Sequence, residues 1–166
     1  MDNLAFGLKL KNLFKKNNES ASSYDLSSGM YKRVEYIKFG VQGSHKTPVP
    51  NIIYPMIYLE LKDKTEEFAT ACQGGKKLIT LNYDIVPVVN YGFGFAENTT
   101  TGRDISDFYI VTLTDNIENL LRDKPQLSIT SVNVSEIGST EYDIMESNDT
   151  WNSISKINLT VELLTR

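Results

Sequence analysis

The stretch LITLNYDIVPVVNYGFGF, residues 78–95, decides how the rest of the chain is read. Its odd positions are Ile79, Leu81, Tyr83, Ile85, Pro87, Val89, Tyr91, Phe93 and Phe95, and none carries a charge. The even positions include Thr80, Asn82, Asp84, Asn90, Gly92 and Gly94. A period of two held this long is an extended strand with one apolar face and one wetter face. At about 3.3 Å per residue such a run reaches roughly 56 Å, too long for one ordinary strand. It is therefore expected to bend or leave the body at Pro87 or at the Gly92/Gly94 pair. Residues 78–86 then read as core sheet, and residues 88–103 as a projecting arm that touches another molecule.

The partner strand lies upstream. Residues 51–62, NIIYPMIYLELK, are apolar on both faces in their first part, as in a central strand covered on both sides. Pro55 cannot donate to a ladder, which places it at a bulge or near the strand's start. Residues 63–73 read equally as a short helix or a strand, and Gly74-Gly75 marks a turn into the central run. Residues 30–40 alternate and predict another strand, with a Pro/Gly loop over 40–50.

Two helices flank these strands. Residues 2–16 are amphipathic, with Phe6, Leu10, Leu13 and Phe14 at helical spacing and Lys9, Lys11, Lys15 and Lys16 late in the helix. Their basic face is a solvated helix face, or else one that meets a membrane or a nucleic acid. A polar loop covers residues 17–29. Residues 104–124 predict the longest helix, with Ile105, Phe108, Tyr109, Thr112, Leu113, Ile117, Leu120 and Leu121 on one face and Pro125 beyond its end. Residues 96–103, AENTTTGR, read as a polar loop at the arm's tip. After the long helix come a strand over 127–136, a turn at 138–140, a weak strand over 141–146, a turn at 147–150 and a closing strand. In that last strand Ile157, Leu159, Val161 and Leu163 alternate with Asn158, Thr160 and Glu162. The predicted class is α+β: a mainly antiparallel sheet, an N-terminal helix and one long helix packed on it, and a projecting hairpin or arm.

Composition narrows the function. The 166 residues suit one domain, and 40% hydrophobic with 23% charged residues are ordinary globular values. A net charge of −4 and an isoelectric point near 5.1 argue against a dedicated nucleic-acid binder. Cys72 is the only cysteine and His45 the only histidine, so disulfides, thiolate metal clusters and most zinc or triad chemistry drop out. The first 16 residues lack the apolar core of a signal peptide, and no run is long and apolar enough to span a membrane. Gly74-Gly75-Lys76-Lys77 precedes a strand instead of a helix, unlike a phosphate loop. Glu66/Glu67 and Asp143/Glu146 are scattered surface carboxylates, and residues 141–149 do not fit a calcium loop. No catalytic residue, metal or cofactor is expected.

Aromatic residues remain. Tyr54, Tyr58, Tyr83, Tyr91, Phe93 and Phe95 concentrate on the two central strands. Tyr54 and Tyr83 read as core; Tyr91, Phe93 and Phe95, beyond the bend, read as core or as an interface, where aromatics are enriched.

In order and size, the elements resemble the tail terminator (tail completion) and head–tail connector proteins of long-tailed bacteriophages. The resemblance rests on a short N-terminal helix, an aliphatic–Pro–aliphatic strand over 51–61, the long strand over 79–95, the helix ending in Leu-Leu, and a final strand pair over 127–136 and 154–164. It covers most of the chain and carries no diagnostic motif; the 17–29 segment and the 40–50 loop fit it less well. It implies a non-enzymatic virion subunit, made in the host cytoplasm, that forms a hexameric ring capping the tail tube. The implied partners are further copies of the chain, a tail tube protein and a neck or connector protein, with DNA as passing cargo and no membrane. Tyr91, Phe93, Phe95, Asn98 and Arg103 are the expected contact residues. Another connector or tube-like ring subunit fits the same pattern. The competing class is a small-ligand or enzymatic domain, with an apolar pocket beside the long helix lined by Tyr83 and Tyr109.

Overall fold

The computed structural model describes residues 3–19, 36–47, 55–68, 77–90, 99–123, 127, 132–147 and 150–165. The elements run α1 (Asn3–Glu19), β1 (Tyr36–Val41), a 3₁₀ turn (Ser44–Lys46), β2 (Met56–Phe68), β3 (Lys77–Asn90), α2 (Thr99–Asp123), β4 (Val132–Ser147) and β5 (Thr150–Thr165). They form one five-stranded sheet in the order β1-β2-β3-β5-β4. Only β1 and β2 run parallel; every other neighbouring pair is antiparallel. The fold class is α+β, with both helices on one face of the sheet.

That covered face is built from the expected alternation. Ile79, Leu81, Tyr83, Ile85 and Val89 of β3, Ile57 and Leu59 of β2, and Ile157, Leu159, Val161 and Leu163 of β5 enter one apolar core. From α1 come Phe6, Leu10, Leu13 and Phe14; from α2 come Tyr109, Ile110, Leu113, Ile117, Leu120 and Leu121. Each such side chain, fully buried, contributes about 1.5–3 kcal/mol of transfer free energy. Gly7 sets how closely α1 can lie on β1. A Cβ there would stand 2.3 Å from the Phe39 ring, so any larger residue lifts the helix or displaces the ring.

Several boundaries differ from expectation. β3 is continuous through Pro87, which lies opposite Ile57; β3–β5 pairing lapses at Val86 and Pro87 and resumes in the same register at Val88. The strand neither bends away nor leaves the body there. Val88 and Val89 are buried sheet residues, not the root of an arm. At the other end of the expected arm, Thr99–Arg103 is the start of α2, not a loop. Residues 91–98, including Tyr91, Phe93, Phe95 and Asn98, lie outside the described residues, as do Tyr54 and Cys72. Pro55 sits immediately before β2, where its missing N–H costs no ladder bond.

Residues 63–68 resolve as strand, because β2 runs unbroken to Phe68 opposite Lys77. α1 continues through Glu19 into what reads as loop. The expected turn at 138–140 is a bulge within one long strand: β4 shifts register between Ile137 and Thr140 and pairs on. Asn158 donates to the Ser139 carbonyl at 3.1 Å and hydroxyl at 2.8 Å, tying the bulge to β5. Gly and Ser serve turns and bulges alike, which is why the two look the same in sequence.

Candidate functional site

Two surfaces stand out. The first is the β4 edge of the sheet and the flank of α2 beside it. Among the described residues β4 pairs with β5 alone and is the edge strand of the sheet. On the helix-covered face, Tyr142 lies opposite Ser155, Ile144 opposite Ser153, and Glu146 opposite Trp151. α2 is fastened to the same serines: the Ser153 hydroxyl donates to Asp107, and Thr114 and Ser155 share a hydrogen bond of 2.6 Å. Farther along, the Thr140 hydroxyl donates to Glu118 at 2.6 Å. The α2 flank bearing Asp107, Thr114 and Glu118 therefore abuts β4, and Val111, one turn from both Asp107 and Thr114, lies on it with Phe108 alongside.

None of these apolar side chains is covered. Among the described residues nine large hydrophobics are exposed, and five of them (Phe108, Val111, Tyr142, Ile144 and Trp151) fall on this one surface. Phe108 is 64% exposed, contrary to the expectation that it faces the core; Ile110 and Thr114 take the inward positions instead. Burial pushes the Tyr142 phenol up from its ordinary value, the Asp115 and Glu118 carboxylates add to this, and a hydrogen bond with Thr114 opposes it. Clustered exposed apolar side chains of this kind mark interaction sites.

The second surface lies on the opposite face of the sheet. Glu60 of β2 and Asp84 of β3 are direct cross-strand neighbours, and both side chains are fully buried. Two like charges so placed destabilise a sheet unless each is answered. Glu60 is answered by the turn after β1. The Gly43 N–H donates to Oε2 at 2.8 Å, and the His45 N–H and Nδ1–H donate to Oε1 at 2.6 and 2.9 Å. Gly43 makes this possible by adopting φ +84°, open to glycine at little cost. Burial drives the Glu60 carboxyl upward, but the His45 imidazole and the two backbone donors outweigh it and hold it below its ordinary value.

Asp84 has a different environment. Neither of its oxygens accepts a hydrogen bond. The Lys62 and Lys156 ammoniums stand 3.6 and 3.3 Å away, close enough to balance its charge. Glu60, Asp84 and Lys156, together with Glu141 and Asp143 of β4, line a cavity of about 270 Å³ bordered by Gly43, His45 and Lys46 of the turn. A small apolar cluster of Met56, Tyr58, Val86, Val88 and Ile154 continues the same face.

The contact residues the sequence singled out fall outside what the structure describes. Arg103 belongs to α2 and its side chain lies outside the described residues, with Tyr91, Phe93, Phe95 and Asn98. Tyr83 and Tyr109 are the residues expected beside the long helix. Both are core residues, and the Tyr83 ring packs 5.5 Å from Phe6 and 6.2 Å from Phe39. Burial raises the Tyr83 phenol well above its ordinary value. Among the described residues no group of three His, Cys, Asp or Glu side chains is arranged to hold a metal ion, and no helix is long and apolar enough to cross a membrane. In sequence, His45, Glu60 and Asp84 carry one signal in common: two are charged residues inside strongly apolar strands, and the third is the chain's single histidine.

The fold thus defines an α+β domain with an open, apolar sheet edge and a separate charged cavity. Compared with models of known protein families and with curated proteins, the sequence matches none.

Proposed function

We propose that the chain is a non-enzymatic structural subunit that joins further copies of itself into a closed ring through the edges of its sheet. By the order of its elements, the ring is read as a phage tail terminator that caps the tail tube and joins it to the head or neck. The observation that carries the assembly reading is the uncovered apolar surface of Phe108, Val111, Tyr142, Ile144 and Trp151 at β4, the edge strand of the sheet.

The occupant is a second copy because the opposite edge offers a complementary surface. There β1 ends with Val41 70% exposed and β2 ends with Phe68 76% exposed. Unlike apolar surfaces at opposite edges of one sheet favour a heterologous, head-to-tail contact, which closes into a ring when the rotation allows. Strand addition at β4 would supply backbone bonds, and the side chains around it the fit. A net charge of −4 suits a conduit through which DNA passes without sticking. Another head–tail connector or tube-like ring subunit would use the same surfaces.

The test is light scattering on the eluting protein, with electron microscopy of the same fractions. Rings are expected at high concentration, alone or with tail tubes. An Ile144→Lys/Trp151→Glu variant should remain folded and lose assembly at least tenfold. A folded monomer at every concentration that never engages tail tubes would end the proposal.

A further inference from the structure

Charge is spread across the sheet far less evenly than the net value of −4 suggests. α1, β1 and the 3₁₀ turn carry six lysines against one acidic residue, Glu19, a formal charge of +5. α2 and β4 carry nine acidic residues against Arg103 and Arg122, a formal charge of −7. β1 and β4 are the two outermost strands of the sheet, with α1 packed on β1 and α2 on β3, β5 and β4. Four strand spacings of about 4.8 Å hold those edges roughly 19 Å apart. The Debye length at physiological salt is about 8 Å, so the two charges do not cancel within one subunit.

Taking ring assembly as the basis, we infer that the outward face of α1 in one copy covers the apolar β4–α2 patch of the next, and that the charge difference between the edges decides which edge meets which. Among the described positions of α1, Leu8, Lys9, Asn12 and Lys15 are exposed, an apolar side chain rimmed by ammonium groups. Leu8 is 49% exposed. The patch it would meet is rimmed with the opposite sign: Asp115 on α2 and Glu136, Glu141 and Asp143 on β4 are all exposed. Asp115 stands near enough to Tyr142 to raise its phenol. Both helices lie on the same face of the sheet, so two copies set edge to edge bring α1 of one alongside the α2 flank of the other. The same charges disfavour the symmetric alternatives. Joined β4 to β4, two copies set −7 against −7; joined β1 to β1, they set +5 against +5. Only the head-to-tail contact brings unlike charges together.

Charge reversal on the full chain tests it. Lys9→Glu/Lys15→Glu inverts the rim of α1, and Asp115→Lys/Asp143→Lys inverts the rim of the β4–α2 patch. All four positions are exposed, and circular dichroism checks that each variant is folded. Wild-type assembly, followed by light scattering, should weaken roughly tenfold or more as salt rises from about 0.05 M to about 0.5 M. Each variant alone should lose assembly by a similar factor, because its inverted rim now meets like charge. An equimolar mixture of the two should regain it, because each inverted rim then meets the inverted rim of the other variant. Rings indifferent to salt and to both reversals would overturn the inference and leave ring assembly standing, as would a mixture no better than either variant alone. Loss confined to the Asp115→Lys/Asp143→Lys variant would mean that α1 is not the covering surface. Capture of the wild type by phosphatidylserine vesicles, with assembly of the Lys9→Glu/Lys15→Glu variant unchanged, would assign the basic helix to a membrane instead. A wild type that stays monomeric under every condition would overturn both readings.

Discussion

The two long edges of the sheet are treated in opposite ways. On one side, α1 sits against β1, held close by Gly7, and the Gly43–Lys46 turn ends the edge where β1 stops. Past that point no described strand pairs with the outer side of β2, and residues 62–68 are all exposed. They carry Lys62, Asp63, Lys64, Glu66 and Glu67, with Lys64 and Lys77 both paired to Glu66. Charges on an open strand are the usual defence against unwanted pairing. On the other side, β4 has acidic residues toward one face but Tyr142 and Ile144 toward the other, with Trp151, Val111 and Phe108 beside them. The β1–β2 edge thus carries charge along β2 with apolar Val41 and Phe68 at its ends, whereas the β4 edge gathers its apolar groups into one patch, so in the proposed head-to-tail contact the two edges play unlike parts.

The sharpest way to probe that contrast uses two residues a single position apart from sharing a helix face. Leu113 is fully buried and Val111 is 44% exposed. Leu113→Ala should destabilise the monomer by about 2–5 kcal/mol, read from chemical denaturation. Val111→Ala should leave the unfolding midpoint nearly unchanged and weaken assembly instead. Equal effects on monomer stability would mean that the α2 flank is structural, not a contact surface.

Next in size is the latch that ends the shielded edge. Glu60→Gln removes charge-assisted bonds to two backbone donors and an imidazole, and should cost about 1–3 kcal/mol near neutral pH. The sign with pH follows from a folded-state carboxyl held below its ordinary 4.5. Its contribution is complete above 4.5 and disappears as pH falls through the lowered folded value. The stability gap between wild type and Glu60→Gln should therefore be flat above that pH and close in acid. A gap that persists unchanged to low pH would show that the carboxylate's charge is not what holds the turn.

The smallest expected effect on folding, and the cleanest test of edge protection, is at Lys64 and Glu66. Replacing both with Val should leave the fold intact, since both side chains lie at the surface. It should also create a concentration-dependent pairing of β2 edges with one another, distinct from the proposed β4 contact and visible by light scattering in the Ile144→Lys/Trp151→Glu background. If the quadruple variant stays monomeric, charge on β2 is not what keeps this edge single.

How much of this was legible depended on which physical signal each residue carried. Ile79, Leu81, Tyr83 and Ile85 obey a strict period of two and are all buried, as Phe6, Leu10, Leu13 and Phe14 are at helical spacing. Asp84 stands on what reads as the wet face, yet it is sealed, because strands on both sides and the turn above cover that face too. Glu60 was hidden in the same way: a charge in a strand reads as solvent exposure until its partners are known, and those lie 15 and 17 residues back. Phe108 misled for the opposite reason, since it adjoins the apolar stripe of α2 but falls one step outside the buried arc. The expected departure at Pro87 does not occur, while the alternative at Gly92/Gly94 and the expected contacts Tyr91, Phe93, Phe95 and Asn98 lie outside the described residues; the exposed apolar surface of β4, β5 and α2 carried no pattern that set it apart in the sequence.

The position of β5 has a temporal consequence. The last strand in sequence is inserted between β3 and β4, so β3, complete at Asn90, has no neighbour on that side until residues beyond Thr150 have emerged. Closing so distant a pair is entropically slow, and the core beneath α2 cannot form before it happens. During synthesis the nascent chain therefore lacks the seat that positions α2 against β4. The apolar β4 edge takes shape only once β5 is in place, and a chain that stops before Thr150 has no formed version of it.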